Sequence, residues 1–126
     1  MGSFRPHVIF SAAITLDGKL ATRTGDSKLS SKKDKIRVHK LRSKVDAILI
    51  GKNTAKIDDP LLSVRNIKKK NPTRIILDSD ATIRTSSRIL KTCSKIPTII
   101  VVSKRAQKKN LQRLEKLVDY LIQTLA

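Results

Sequence analysis

Two carboxylates, a proline and a guanidinium crowd into the run Thr54-Ala-Lys-Ile-Asp-Asp-Pro-Leu-Leu-Ser-Val-Arg65, just after the apolar stretch Ala47-Ile-Leu-Ile50 and Gly51. That mixture is poor core material. Strand, glycine, then polar residues opening a helical turn is a common way to aim backbone N–H groups at a phosphate. The same residues also read as an ordinary turn. Pro60 pushes Asp59 out of the helical region, Asp58 can bond to nearby N–H groups, and Arg65 can be one more solvated cation. Local grammar leaves both readings open.

Elsewhere the chemistry is sparse. Cys93 is the lone cysteine, so neither an internal disulfide nor a cysteine-based metal site is available. His7 sits in a strand-like run and His39 among helical cations, and both read as structural. No metal constellation and no Ser/His/Asp spacing is present, and the glycines form no Gly-x-Gly-x-x-Gly cluster.

Strands and helices must position whatever site exists. His7–Ile14 is a nearly continuous apolar run, expected of a strand covered on both faces. Asp46–Ile50, Thr73–Leu77 and Pro97–Val102 read as further strands. Ser30 or Ser31 can cap a helix with Asp34 in its first turn and Ile36, Val38, Leu41 and Val45 as an apolar stripe. Leu111, Leu114, Leu117, Val118, Leu121, Ile122 and Leu125 recur at three- and four-residue steps, which predicts one amphipathic helix. Alternating strands and helices argue an α/β domain with a mostly parallel sheet. Ligands gather at the carboxyl ends of such strands, where Thr15–Asp17, Gly51–Thr54 and Asp78–Ser79 fall in order.

The 126 residues suit one domain, and the net charge is +18. Such a surface attracts polyanions whatever its evolved role. The lysines are scattered, without the interleaved aromatics of single-strand binders. No stretch is long and apolar enough to span a bilayer, and no secretory leader opens the chain. A cytoplasmic protein is expected.

Several short motifs fall in one order: Thr15-Leu-Asp-Gly-Lys-Leu-Ala21, Asp26-Ser27, Ile36-Arg-Val-His-Lys-Leu-Arg42, Asp46-Ala-Ile-Leu-Ile-Gly51, Thr54, Asp58-Asp-Pro-Leu-Leu-Ser-Val-Arg65 and Pro72-Thr-Arg-Ile-Ile-Leu-Asp-Ser79. As an ordered set they resemble the pyrimidine reductase family of riboflavin biosynthesis, most closely its archaeal stand-alone form. The resemblance implies a dihydrofolate-reductase-like fold, a homodimer and dependence on NADPH. It further implies reduction of a ribosylaminopyrimidine 5′-phosphate to its ribitylamino form, with hydride passing from the nicotinamide to C1′. Carried over by position, Thr54, Asp58 and Ser79 contact the cofactor, and Ser27, Arg42, Leu62 and Arg65 hold the substrate. The arginines suit that role, because a guanidinium grips phosphate through two N–H groups. Asp17 is a candidate for proton management, although Asp17-Gly18 also reads as a turn.

One departure sets a second expectation. Family members continue into a strand and a glycine-rich loop that cradles the cofactor phosphates, whereas no glycine follows Gly51 here. Residues 1–126 are therefore expected to be the amino-terminal portion of a single reductase domain, incomplete on its carboxyl-terminal side. The apolar face over Leu111–Leu125 is then left without a following strand and free to self-associate. A non-catalytic basic protein that binds RNA or another polyanion is the alternative function.

Overall fold

The computed structural model describes residues 5–12, 32–64 and 70–124. Four strands form one sheet in the order β1-β2-β3-β4: β1 Ala47–Gly51, β2 Thr73–Leu77, β3 Thr98–Val102 and β4 Tyr120–Gln123. Every neighbouring pair is parallel. Helices α2 (Lys52–Asp58), α3 (Arg88–Lys91) and α4 (Lys108–Glu115) fall in the three connections, and α1 (Lys32–Arg42) precedes β1.

Side-chain alternation along the strands decides which face is core. Arg74 and Ile76 of β2, and Thr98, Ile100 and Val102 of β3, are fully or almost fully buried. They pack with Ile48 and Ile50 of β1, Leu121 of β4 and a helical layer that includes Ala55, Ile89, Leu90 and Leu114. Each fully buried aliphatic side chain contributes roughly 1.5–3 kcal/mol of transfer free energy. On the opposite face Leu49, Leu77, Tyr120 and Ile122 remain exposed. The helix α1 buries no residue; its Asp34 pairs with Arg37 one turn on at 2.8 Å.

Two expectations are corrected. Residues 7–12 carry no regular secondary structure and are exposed, with Val8 79% and Phe10 86% accessible. An apolar run becomes a strand only when a neighbour completes its hydrogen bonds, and this segment joins none of the four strands. Expected strand residues 13 and 14, and the caps Ser30 and Ser31, lie outside the described residues.

The second correction concerns the single helix over Leu111–Leu125. It ends at Glu115, and Leu121 and Ile122 lie in β4. Leu117 and Val118 both donate backbone N–H groups to the Leu114 carbonyl, at 2.9 and 3.1 Å, closing the helix in a tight turn. Asp119 then docks on the start of β3: its carboxylate accepts the Thr98 N–H at 2.7 Å, and its own N–H donates to the Thr98 carbonyl at 3.2 Å. A strand therefore does follow the helix. Leu114 and Val118 are buried, at 0% and 9% exposure, while Leu117 and Ile122 of the same stretch remain 40% and 48% exposed.

Candidate functional site

Parallel register brings the carboxyl ends of three strands to one edge: Gly51 lies opposite Leu77, and Leu77 opposite Val101. The loops leaving that edge are tied through one carboxylate. Lys52 Nζ, just after β1, reaches Asp80 Oδ2 at 3.3 Å, and Arg105 Nε, beyond β3, reaches Asp80 Oδ1 at 3.5 Å. These pairs are exposed enough that each adds little stability. Their consequence is positional, because they hold two cations beside the segment that carries Ser79. The Ser79 carbonyl in turn accepts from both the N–H and the hydroxyl of Ser103, each at 3.0 Å.

Thr54 and Asp58 sit one turn apart on α2, so they share a helix face, and both are exposed. Gly51 caps the helix in extended backbone, with φ −85 and ψ 168. Among the described residues, a Cβ added there would meet nothing within 4 Å. Asp78, by contrast, is fully buried and spent on structure. Its Oδ2 accepts the Ile83 N–H at 2.7 Å and its Oδ1 accepts the Thr82 hydroxyl at 3.3 Å.

The segment after α2 is held in an unusual shape. Asp59 and Leu62 both adopt left-handed backbone, with φ 42 and 56, which side chains disfavour. Leu62 is 4% exposed, so its side chain belongs to the core. Three hydrogen bonds fix the segment: the Arg88 N–H to Asp59 Oδ1 at 2.9 Å, Arg74 Nη1 to the Leu61 carbonyl at 3.1 Å, and the Val64 N–H to Asn71 Oδ1 at 2.8 Å. This strap leads directly into Arg65, which lies outside the described residues.

Arg74 is the hub beneath the strap. Its guanidinium also donates to the Thr92 hydroxyl and the Ile89 carbonyl, both at 2.8 Å, and to the Thr98 hydroxyl from Nε and Nη2 at 3.2 and 2.8 Å. Burial pushes its pKa below the ordinary arginine value, partly offset by Cys93 and Asp119. Arg42, the last residue of α1, is half-buried, and burial lowers its pKa as well.

The structure thus brings Gly51–Thr54 and Ser79 to one edge and places Leu62 in a clamped strap. Asp17 and Ser27 lie outside the described residues, as Arg65 does. Sequence reasoning missed Lys52, Asp80 and Arg105, which no spacing connects, and it missed Arg74. The signal for Arg74 was present: a cation at position 74, on the same strand parity as Ile76.

A groove of about 680 Å³ runs between α2 and residues 82–87, lined in part by Lys52, Lys56, Ile57, Arg84 and Ser87. Neither Thr54, Asp58 nor Ser79 lines it. Among the described residues no group of acidic, histidine or cysteine side chains is arranged to hold a metal, and no helix is long and apolar enough to cross a membrane.

A family model described as the RibD C-terminal domain matches residues 6–125. The chain is 41% identical over 121 residues to the 2,5-diamino-6-ribosylamino-4(3H)-pyrimidinone 5′-phosphate reductase of Methanothermobacter thermautotrophicus, covering 94% of this chain and 55% of that protein. It is 42% identical over 123 residues to the riboflavin biosynthesis protein RibD of Aquifex aeolicus, covering 96% of this chain and 33% of that one. The crystal structure of a diaminohydroxyphosphoribosylaminopyrimidine deaminase/5-amino-6-(5-phosphoribosylamino)uracil reductase from Thermotoga maritima superposes with a TM-score of 0.66 at 27% identity, over 90% of this chain and 37% of that one. The chain therefore spans about half the length, or less, of these relatives. The expected α/β, dihydrofolate-reductase-like architecture holds.

Proposed function

This chain belongs to the RibD C-terminal domain family, and we propose that it serves as an NADPH-dependent reductase of a ribosylaminopyrimidine 5′-phosphate in riboflavin biosynthesis. The observation that supports this reading best is the donor set at the carboxyl edge of the sheet. Thr54, exposed on α2, shares that helix with Lys52, and the exposed Ser79 precedes Asp80, whose carboxylate pairs with both Lys52 and Arg105. Hydroxyls and cations beside a glycine suit a phosphorylated dinucleotide.

The nicotinamide would supply the hydride, so the protein's task is to bind and orient the reactants. Thr54 would donate its hydroxyl to the cofactor, and Asp58, one turn on, would accept from a ribose hydroxyl or amide. Ser79 would complete the contact from the end of β2. On the substrate side Ser27, Arg42 and Arg65 would hold the 5′-phosphate. The strap would contribute its backbone near Leu62, because the side chain there is buried. Asp17 remains the candidate for moving a proton. A homodimer is the working unit that the family resemblance implies, and a cytoplasmic location is the one the sequence favours.

Titration with NADPH beside titration with RNA, each at two salt concentrations, tests the reading. A specific cofactor site keeps its affinity at the higher salt better than a diffuse polycationic surface keeps RNA. RNA binding that survives salt, with no NADPH binding, contradicts it.

A further inference from the structure

We infer that Asp80 is the residue that sets the site's choice between dinucleotides, lowering its preference for one with a ribose 2′-phosphate over one with a free 2′-hydroxyl. This role rests on the reductase reading of the same edge and adds no further phosphate site to it.

Asp80 stands between two cations that a 2′-phosphate would use. Its Oδ2 lies 3.3 Å from Lys52 Nζ and its Oδ1 lies 3.5 Å from Arg105 Nε. Each carboxylate oxygen is committed to one cation, and the trio carries a single net positive charge. A phosphate seeking the same N–H donors must compete with the carboxylate and is repelled by it. A ribose hydroxyl meets no such penalty, because it can donate its proton to a remaining lone pair of the carboxylate. Past the carboxyl end of a strand, an acid suits the 2′-hydroxyl of a dinucleotide and an arginine suits its 2′-phosphate. Here an acid and an arginine share one position, and each neutralises the other.

The backbone holds the carboxylate in that place. Ser79 and Asp80 form the tip of a turn closed by the Ala81 N–H on the Asp78 carbonyl at 3.0 Å. Ala81 is fully buried and left-handed, with φ 56, a conformation that a residue with a Cβ keeps only when its surroundings impose it. Arg113 Nη2 donates to its carbonyl at 3.1 Å. On the far side, the Ser103 hydroxyl donates to the Ser79 carbonyl at 3.0 Å and accepts the Arg105 N–H at 3.2 Å. Asp80 and Arg105 are thus linked twice, directly through their side chains and indirectly through Ser79 and Ser103. Swinging Asp80 aside to admit a phosphate works against this ring.

Calorimetric titration of the full-length protein with NADPH and with NADH tests the role. Asp80→Asn should raise the ratio of NADPH to NADH affinity about three- to tenfold, as one like charge leaves the neighbourhood of the 2′-phosphate. Arg105→Gln, which removes a cation and keeps the carboxylate, should lower the ratio. Glu115 is exposed at the end of α4, on the side where β4 begins. Glu115→Gln removes the same charge as Asp80→Asn and should keep the parent ratio. Unfolding curves would verify that each variant is folded. Asp80 loses this role, and the reductase reading stands, if both dinucleotides bind but Asp80→Asn leaves the ratio unchanged. The same holds if Arg105→Gln fails to lower the ratio or Glu115→Gln raises it as much as Asp80→Asn does. If neither dinucleotide binds the parent, the role and the reductase reading fall together.

Discussion

Asp59 Oδ1 accepts the backbone N–H of Arg88 at 2.9 Å, so the residue that ends α2 also caps α3. One aspartate thereby fixes the angle at which the strap leaves its helix. Asp59→Ala should destabilise the fold by about 1–2 kcal/mol, through loss of the cap and left-handed backbone at a residue with a Cβ. Asp59→Asn keeps both the acceptor and the tolerance for that backbone, and should lie within about 0.5 kcal/mol of the parent. Urea unfolding of the two variants measures the difference, and equal losses would count against the capping role.

Arg74 carries the largest expected effect on stability. Arg74→Met would leave the Leu61 and Ile89 carbonyls and the Thr92 and Thr98 hydroxyls without their donor. At roughly 1–3 kcal/mol for each buried group left unsatisfied, with some relief from repacking, a loss of about 3–5 kcal/mol is expected. Chemical denaturation would show it as a large shift in midpoint. A loss below about 1 kcal/mol would mean that solvent or neighbouring groups replace the guanidinium.

The parts of the fold that were legible in the sequence are those where local and long-range signals agree. The apolar runs at Ala47–Gly51, Thr73–Leu77 and Thr98–Val102 became β1, β2 and β3, because short apolar, β-branched runs bounded by turn residues favour strands. The misreading of β4 has a specific cause. Leu114, Val118 and Leu121 keep a helical spacing across a boundary that is set by tertiary contacts. Asp119 bonding to Thr98, 21 residues away, ends the helical region, and nothing local announces that. His7–Phe10 shows the converse, with an apolar pattern but no strand beside it. At the site, Thr54, Asp58 and Ser79 were found through an ordered resemblance. The Lys52–Asp80–Arg105 linkage was invisible because its members come from the first turn of α2 and from two separate loops.

Thr54→Val tests the cofactor edge. Thr54 is exposed on α2, so the substitution should leave the unfolding midpoint nearly unchanged. In the complete enzyme, loss of one neutral hydrogen bond should weaken NADPH binding by about three- to tenfold. A sharp fall in melting temperature with unchanged affinity per folded molecule would return Thr54 to a structural role.

Arg65→Ala tests the phosphate grip. In a complete version of the enzyme, removing a charge-assisted contact worth roughly 1.5–3 kcal/mol should raise KM about ten- to a hundred-fold. NADPH affinity should change little, since the substitution is proposed to act only on the substrate side. Steady-state kinetics with each reactant varied in turn separates the two, and an unchanged KM removes Arg65 from the site.

The most direct test of the reductase reading follows the hydride itself. A complete version of the enzyme would be incubated with NADPH deuterated at the transferable position of the nicotinamide and with the ribosylaminopyrimidine 5′-phosphate, and the product examined by mass spectrometry and NMR. The account predicts a ribitylamino product carrying one deuterium at C1′. Absence of that product, or a product without deuterium at C1′, would contradict it.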